Sequence, residues 1–169
     1  MPRLANRDRE RIAALFERHL EVGLHHGAQL AVFVDGDLAI DLAGGTTGPD
    51  GDAVTRETRH LLFSCTKPYA AVVLHSLVEE DRLAYDDCVV DHWPEFAEAG
   101  TDKAEITVRH VLSHTAGLQK SKLDARPTAW SDWETVIETL EEQDPLSPPG
   151  AVPAYHALTF GWLVGELVS

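Results

Sequence analysis

The chain has 169 residues, 44% of them hydrophobic, with 28 acidic against 14 basic side chains and a formal net charge of −14. That length and apolar content suffice for one domain with a substantial core. The negative charge repels nucleic acid and anionic membrane, so neither is an expected partner, and no apolar run approaches the length of a membrane span.

In chain order, residues 1–24 form a charged amphipathic pattern, with Ile12, Leu15, Phe16 and Leu20 set against Arg7, Arg9, Glu10 and Glu17. This is a surface helix and not a secretory leader, which makes the expected location cytoplasmic. Next, Ala28–Val34 and Leu38–Ala43 flank Asp35-Gly36, a hairpin signal, and a loop rich in Gly, Thr and Asp follows over Gly44–Asp52. A helix is expected around Ser64, apolar from Tyr69 to Val78 and therefore buried on most sides. Asp86–Phe96 reads as irregular. Thr107 is the candidate N-cap of a short helix running to Ser113, with Gly117 as its terminator. Ser131–Glu142 reads as a further helix, Asp144–Pro153 as a proline-rich loop, and Tyr155–Ser169 as a last helix. Within that last helix Gly161 and Gly165 lie one turn apart, where small residues admit a closely packed neighbour.

Ser64-Cys65-Thr66-Lys67 carries the chemistry. Residues three apart on a helix share a face, so the lysine amine reaches the serine hydroxyl. Serine alone is a poor nucleophile; a lysine buried on an apolar helix loses hydration, its pKa falls, and the neutral amine can take the serine proton. Pro68 fits near a helix start, where its missing N–H costs least. The bland alternative is an N-cap serine followed by a solvated lysine. Other polar clusters read as structural. His110 and His114 have a spacing that suits a metal, but no third ligand is near, so they are expected to be polar core histidines; His25 and His26 are expected at the surface. Cys65 and Cys88 form no disulfide framework and are expected to be reduced. Trp130 and Trp133, at helical spacing, are expected in the core and not at a substrate mouth. There is no His-Glu-x-x-His, no phosphate-binding glycine loop and no Gly-x-Ser-x-Gly elbow, and no cofactor or metal is expected.

Taken together, Asp35-Gly36 in its hairpin, Ser64-Cys65-Thr66-Lys67, the run from Thr107 through Leu112-Ser113-His114-Thr115-Ala116-Gly117-Leu118, and Pro149-Gly150 leading to Tyr155 resemble the serine β-lactamase and penicillin-binding-protein superfamily. The likeness is to its class C-like branch, which includes family VIII-type esterases. The resemblance implies an α+β fold, an antiparallel sheet flanked by a helical region, with Ser64 as the acylated nucleophile and Lys67 and Tyr155 making the proton transfers. The Leu-Ser-His-Thr-Ala-Gly-Leu run would serve scaffold and not chemistry. The Ser64 N–H, at its helix start, would supply half of an oxyanion hole.

Two departures shape the expectation. Family members often read Tyr-x-Asn where this chain has Tyr155-His156-Ala157, and Ala157 cannot hydrogen-bond an acylamino group; this favours small esters or amides over β-lactams. Members of the superfamily also run to roughly twice this length. Residues 1–169 are therefore expected to be the N-terminal portion of one hydrolase domain without its C-terminal strands, inactive in isolation and self-associating through the unpaired edge of the hairpin. The expected partner is a small ester or amide substrate. A DD-peptidase or β-lactamase, or a non-catalytic interaction domain on the same scaffold, are the alternatives.

Overall fold

A computed structural model describes residues 4–98 and 100–169, in two compact units divided after Leu61. The first holds α1 (Asn6–Glu21), β1 (Gly27–Val34) and β2 (Asp37–Gly45). Its strands pair antiparallel, Leu30 opposite Leu42 and Val32 opposite Ile40, with an irregularity between Val32 and Phe33. Asp35 and Gly36 both take positive φ, +52° and +85°, which is what a two-residue hairpin turn needs to follow the right-handed twist of its strands. α1 packs on β2 at Gly44, where a Cβ would lie 2.9 Å from Leu20 Cδ1. Across the loop that follows, Arg56 Nε pairs with Asp41 at 2.7 Å.

The second unit is helical. A 3-10 turn, Phe63–Thr66, runs into α2 (Lys67–Glu79); α3 (Val108–Leu112), α4 (Trp133–Glu142) and α5 (Thr159–Leu167) follow, joined by short 3-10 turns. Leu74 of α2, Val108 and Val111 of α3, Val136 and Leu140 of α4, and Phe160 and Leu163 of α5 meet in one core with Val89, Phe96, Ile106 and Leu118. Lys103 is buried among them: its Nζ lies 4.7 Å from the Phe96 ring centroid and donates to the carbonyls of Leu140 and Glu141 at 2.6 Å each, capping α4.

Thr107 is the N-cap of α3, as expected: its hydroxyl accepts from His110 N–H while His110 Nδ1 accepts from Thr107 N–H. Four expectations are corrected. α2 is not buried on most sides; Leu74 alone is buried, and Tyr69, Val72 and Val73 are more than half exposed, because only the Ala70, Leu74, Leu77 and Val78 face packs on the core. α3 does not end on Gly117. It ends on Leu112, the chain reversing at His114 with φ +59°, while Gly117 serves a close crossing in which a Cβ would stand 2.6 Å from the Ser147 carbonyl oxygen. The last helix does not begin at Tyr155 but at Thr159, since the N–H groups of Ala154 and His156 are spent on His114. Of the two glycines in α5, Gly165 does admit a close neighbour, the Trp133 ring, but Gly161 has open space beside it.

Candidate active site

Every group of the site lies in the second unit. Lys67 opens α2, and the 3-10 turn ahead of it places Ser64 so that Lys67 Nζ donates to Ser64 Oγ at 3.2 Å. Phe63, immediately before Ser64, is held at φ +47°, a left-handed conformation that a bulky residue adopts only at a cost. Ser64 lies in the first helical turn, where a backbone N–H has no acceptor four residues back. Lys67 is half-buried, not enclosed; what fixes it is a second bond, from Nζ to the Ala157 carbonyl at 2.7 Å, and its position 4.9 Å from the Tyr155 ring centroid.

Tyr155 stands on the extended segment between the proline-rich loop and α5. The side chains of Ser64 and then Lys67 face its hydroxyl and draw its pKa below the ordinary phenol value. Structure thus brings Ser64, Lys67 and Tyr155 together, though they are spread over 92 positions of sequence. A hydroxyl, an amine and a phenol facing one another are parts from which a nucleophile and two proton carriers can be made. Beside Ser64 opens a cavity of about 330 Å³, almost wholly apolar, lined by Phe63, Ala70, Phe160, Gly161 and Trp162 together with Ser64 and Lys67.

Sequence reasoning missed the Ala157 carbonyl, Gly161, Trp162 and the fully buried His156. Gly161 alone left a trace, as a glycine inside a helical pattern. His156 Nε2 accepts from Leu118 N–H at 3.0 Å, which leaves Nδ1 as the protonated nitrogen, donating to the Ala154 carbonyl at 2.7 Å. Burial lowers the pKa of this ring, and the nearby His114 adds to the effect. His110 and His114 bind different backbone donors through Nδ1, Thr107 N–H and His156 N–H, and no group of three metal-capable side chains occurs among the described residues. Trp130 packs on Trp162 with ring centroids 5.0 Å apart, against the core as expected. Trp133 is 46% exposed and donates to Glu166, and neither lines the cavity. His25 and His26 are exposed, and Cys65 and Cys88 are free. Among the described residues no helix is long and apolar enough to cross a membrane.

The chain is similar to several known proteins. The esterase/beta-lactamase LipL of Mycobacterium tuberculosis is 34% identical over 145 residues, 83% of this chain and 32% of that protein. A penicillin-binding protein homologue from Caulobacter crescentus superposes with a TM-score of 0.83 at 36% identity, covering 99% of this chain and 45% of its own. A family VIII carboxylesterase gives a TM-score of 0.86 at 29% identity with the same coverage. The chain thus spans about a third to a half of the length of these relatives. The Beta-lactamase family profile matches residues 12–169, a stretch that takes in Ser64, Lys67 and Tyr155 alike, and the chain belongs to that family.

Proposed function

We propose that the chain carries the nucleophilic centre of a serine hydrolase that works through an acyl-enzyme on small esters. The observation that carries this reading is Lys67 Nζ at 3.2 Å from Ser64 Oγ, with the Tyr155 hydroxyl facing both. Ser64 Oγ gives its proton to Lys67 and attacks the ester carbonyl carbon; Tyr155 then protonates the departing alkoxide as the C–O bond breaks, and water cleaves the acyl-enzyme by the reverse transfers. The Ser64 N–H is one donor to the developing oxyanion. Two features support esters over β-lactams. The residue at 157 has no side-chain amide and its carbonyl is engaged by Lys67, and the cavity beside Ser64 is apolar, suited to an acyl chain. The likeness to a family VIII carboxylesterase points the same way. The likeness to a penicillin-binding protein homologue favours a DD-peptidase or β-lactamase as the second reading.

Ser64→Ala in the full gene product should abolish labelling by a fluorophosphonate, and undiminished labelling overturns the assignment. Nitrophenyl esters should exceed a chromogenic cephalosporin in kcat/KM; the reverse order selects the second reading. We place residues 1–169 as the N-terminal portion of one hydrolase domain. One missing oxyanion donor is worth on the order of 3 kcal/mol, so these residues alone should turn over esters at least about a hundredfold more slowly than the full gene product.

A further inference from the structure

The run Leu112-Ser113-His114-Thr115-Ala116-Gly117-Leu118 reads as scaffold, yet its third residue, His114, holds the backbone on either side of Tyr155 and packs on its ring. The His114 carbonyl accepts from Ala154 N–H at 2.9 Å, and His114 Nδ1 accepts from His156 N–H at 3.2 Å. These are the amides on either side of Tyr155. Between them the Tyr155 ring packs on the His114 ring, centroids 4.8 Å apart at 59°, and the Phe160 ring lies 5.1 Å from the same imidazole. A second tier backs the first: the buried His156 ring spans Leu118 N–H and the Ala154 carbonyl, and Thr159 Oγ1 donates to the Leu118 carbonyl at 2.8 Å.

Such an arrangement is more than a helix end requires. At φ +59° the chain takes a conformation in which glycine is freest and, of the other residues, asparagine, aspartate and histidine are the most frequent, at a small cost. That cost is matched by contacts only an imidazole makes at once, an acceptor nitrogen and a ring face. Tyr155 is half-exposed and outside any helix, so the orientation of its ring depends on the backbone segment that His114 pins.

We propose that His114 is the positioning residue for Tyr155, holding the phenol hydroxyl against Ser64 Oγ and Lys67 Nζ. The claim rests on the hydrolase reading for its catalytic consequence and on geometry alone for its structural one. It requires the neutral imidazole with its proton on Nε2, because a protonated Nδ1 would face the His156 N–H donor to donor and set a second cation beside Lys67. Burial and the Lys67 charge both lower the His114 pKa, in keeping with this. Lys67 of α2 and Tyr155 and His156 of the preceding loop are the titratable groups that face it.

The test is a double-mutant cycle on a nitrophenyl ester in the full gene product. His114→Gly, which accepts the positive φ and removes ring and acceptor, should lower kcat about ten- to a hundredfold with KM little changed. His114→Asn accepts the same φ and puts Oδ1 near the Nδ1 position, and should recover part of that loss. In a Tyr155→Phe background His114→Gly should cost less than about threefold, because the group it positions is gone. A readout free of turnover accompanies it. The ultraviolet titration of the Tyr155 phenol, taken as the difference between each protein and its Tyr155→Phe counterpart, should move up towards the ordinary phenol value on His114→Gly. Unchanged kcat with an unchanged phenol titration overturns the proposal, as does an equal loss with and without the Tyr155 hydroxyl. Full activity in Tyr155→Phe alone would instead overturn the role of Tyr155 in the hydrolase reading, and the phenol titration would still decide whether His114 holds it.

Discussion

Lys103→Met removes a buried ammonium that ties α4 to the core, and the opposing energies can be compared. Two bonds of 2.6 Å to the Leu140 and Glu141 carbonyls are lost, each worth about 1.5–3 kcal/mol for a charged donor, and two helix-end carbonyls are left without a partner. Against this, burial lowers the Lys103 pKa from 10.5 to about 8 in spite of the attraction of Asp144 and Glu141. Keeping the proton in the folded state therefore costs about 3 kcal/mol, which methionine spares. At neutral pH the bonds win narrowly, and the variant should be less stable by about 1–3 kcal/mol. The sign of the pH dependence is sharper. Between pH 8 and 10.5 the unfolded chain holds the lysine proton and the folded one has released it, so parent stability rises with pH by up to about 3 kcal/mol. The neutral amine keeps two N–H groups for the same carbonyls, and no such rise remains in the variant. Urea unfolding followed by tryptophan fluorescence reports on the second unit alone, because Trp93, Trp130, Trp133 and Trp162 all lie there. Subtracting the variant curve from the parent curve cancels the other groups that titrate in the window. A difference that stays flat from pH 8 to 10.5 would refute the burial argument, and equal stability at pH 7 would refute the contribution of the carbonyl bonds.

Three further outcomes follow from single contacts. Nothing lies within 4 Å of a Cβ built on Gly161, so Gly161→Leu should fold normally, fill the cavity beside Ser64 and lower kcat/KM for a hexanoyl ester about tenfold more than for an acetyl ester; equal effects on both would place the acyl chain elsewhere. A Cβ on Gly165 meets the Trp133 ring, so Gly165→Ala should cost about 1–3 kcal/mol in thermal unfolding and move the Trp133 emission, and an unaltered melt would contradict that packing. The pKa of His156 is lowered by burial, so the unfolded chain takes the proton first: stability should be complete above pH 6.5 and decline as pH falls below it, with a flatter curve in His156→Gln, and coincident slopes would show that this ring does not govern the acid limb.

What could be read from sequence was local. Asp35-Gly36 states its own turn, Thr107 states its own cap, and Ser64 and Lys67 meet because one helical turn brings them together. What could not be read depends on chain segments far apart. Lys103 looks like any surface lysine until Leu140 and Glu141 are placed over it, 37 and 38 residues away. His156 looks like a spacer between Tyr155 and Ala157 until Leu118 is found at its Nε2. The apolar composition of α2 promised burial on most sides, but composition does not count neighbours, and one packed face was enough to fix the helix. Propensity sets Tyr155 at a helix start because it cannot see that the amides beside it bond to His114.

The Ala157 carbonyl has a consequence for how the centre works on the proposed reading. An ammonium at Lys67 donates to Ser64 Oγ, but a base must accept from it, and the same 3.2 Å contact has to serve both states. A neutral amine has one lone pair and two N–H donors, and nothing in the Ser64 contact alone decides which of the three points at Oγ. The bond from Nζ to the Ala157 carbonyl engages one of the hydrogens at 2.7 Å, and the Tyr155 hydroxyl, which also faces Nζ, can accept the other. Rotation about the last bond of the lysine is thereby restricted, and the lone pair can be turned to the hydroxyl without moving the nitrogen. The carbonyl belongs to the segment that also carries Tyr155, and His114 holds that segment by its neighbouring amides. Both proton carriers are thus set by one stretch of backbone, so a shift of residues 154–157 should disturb the transfer to Lys67 and the transfer from Tyr155 together.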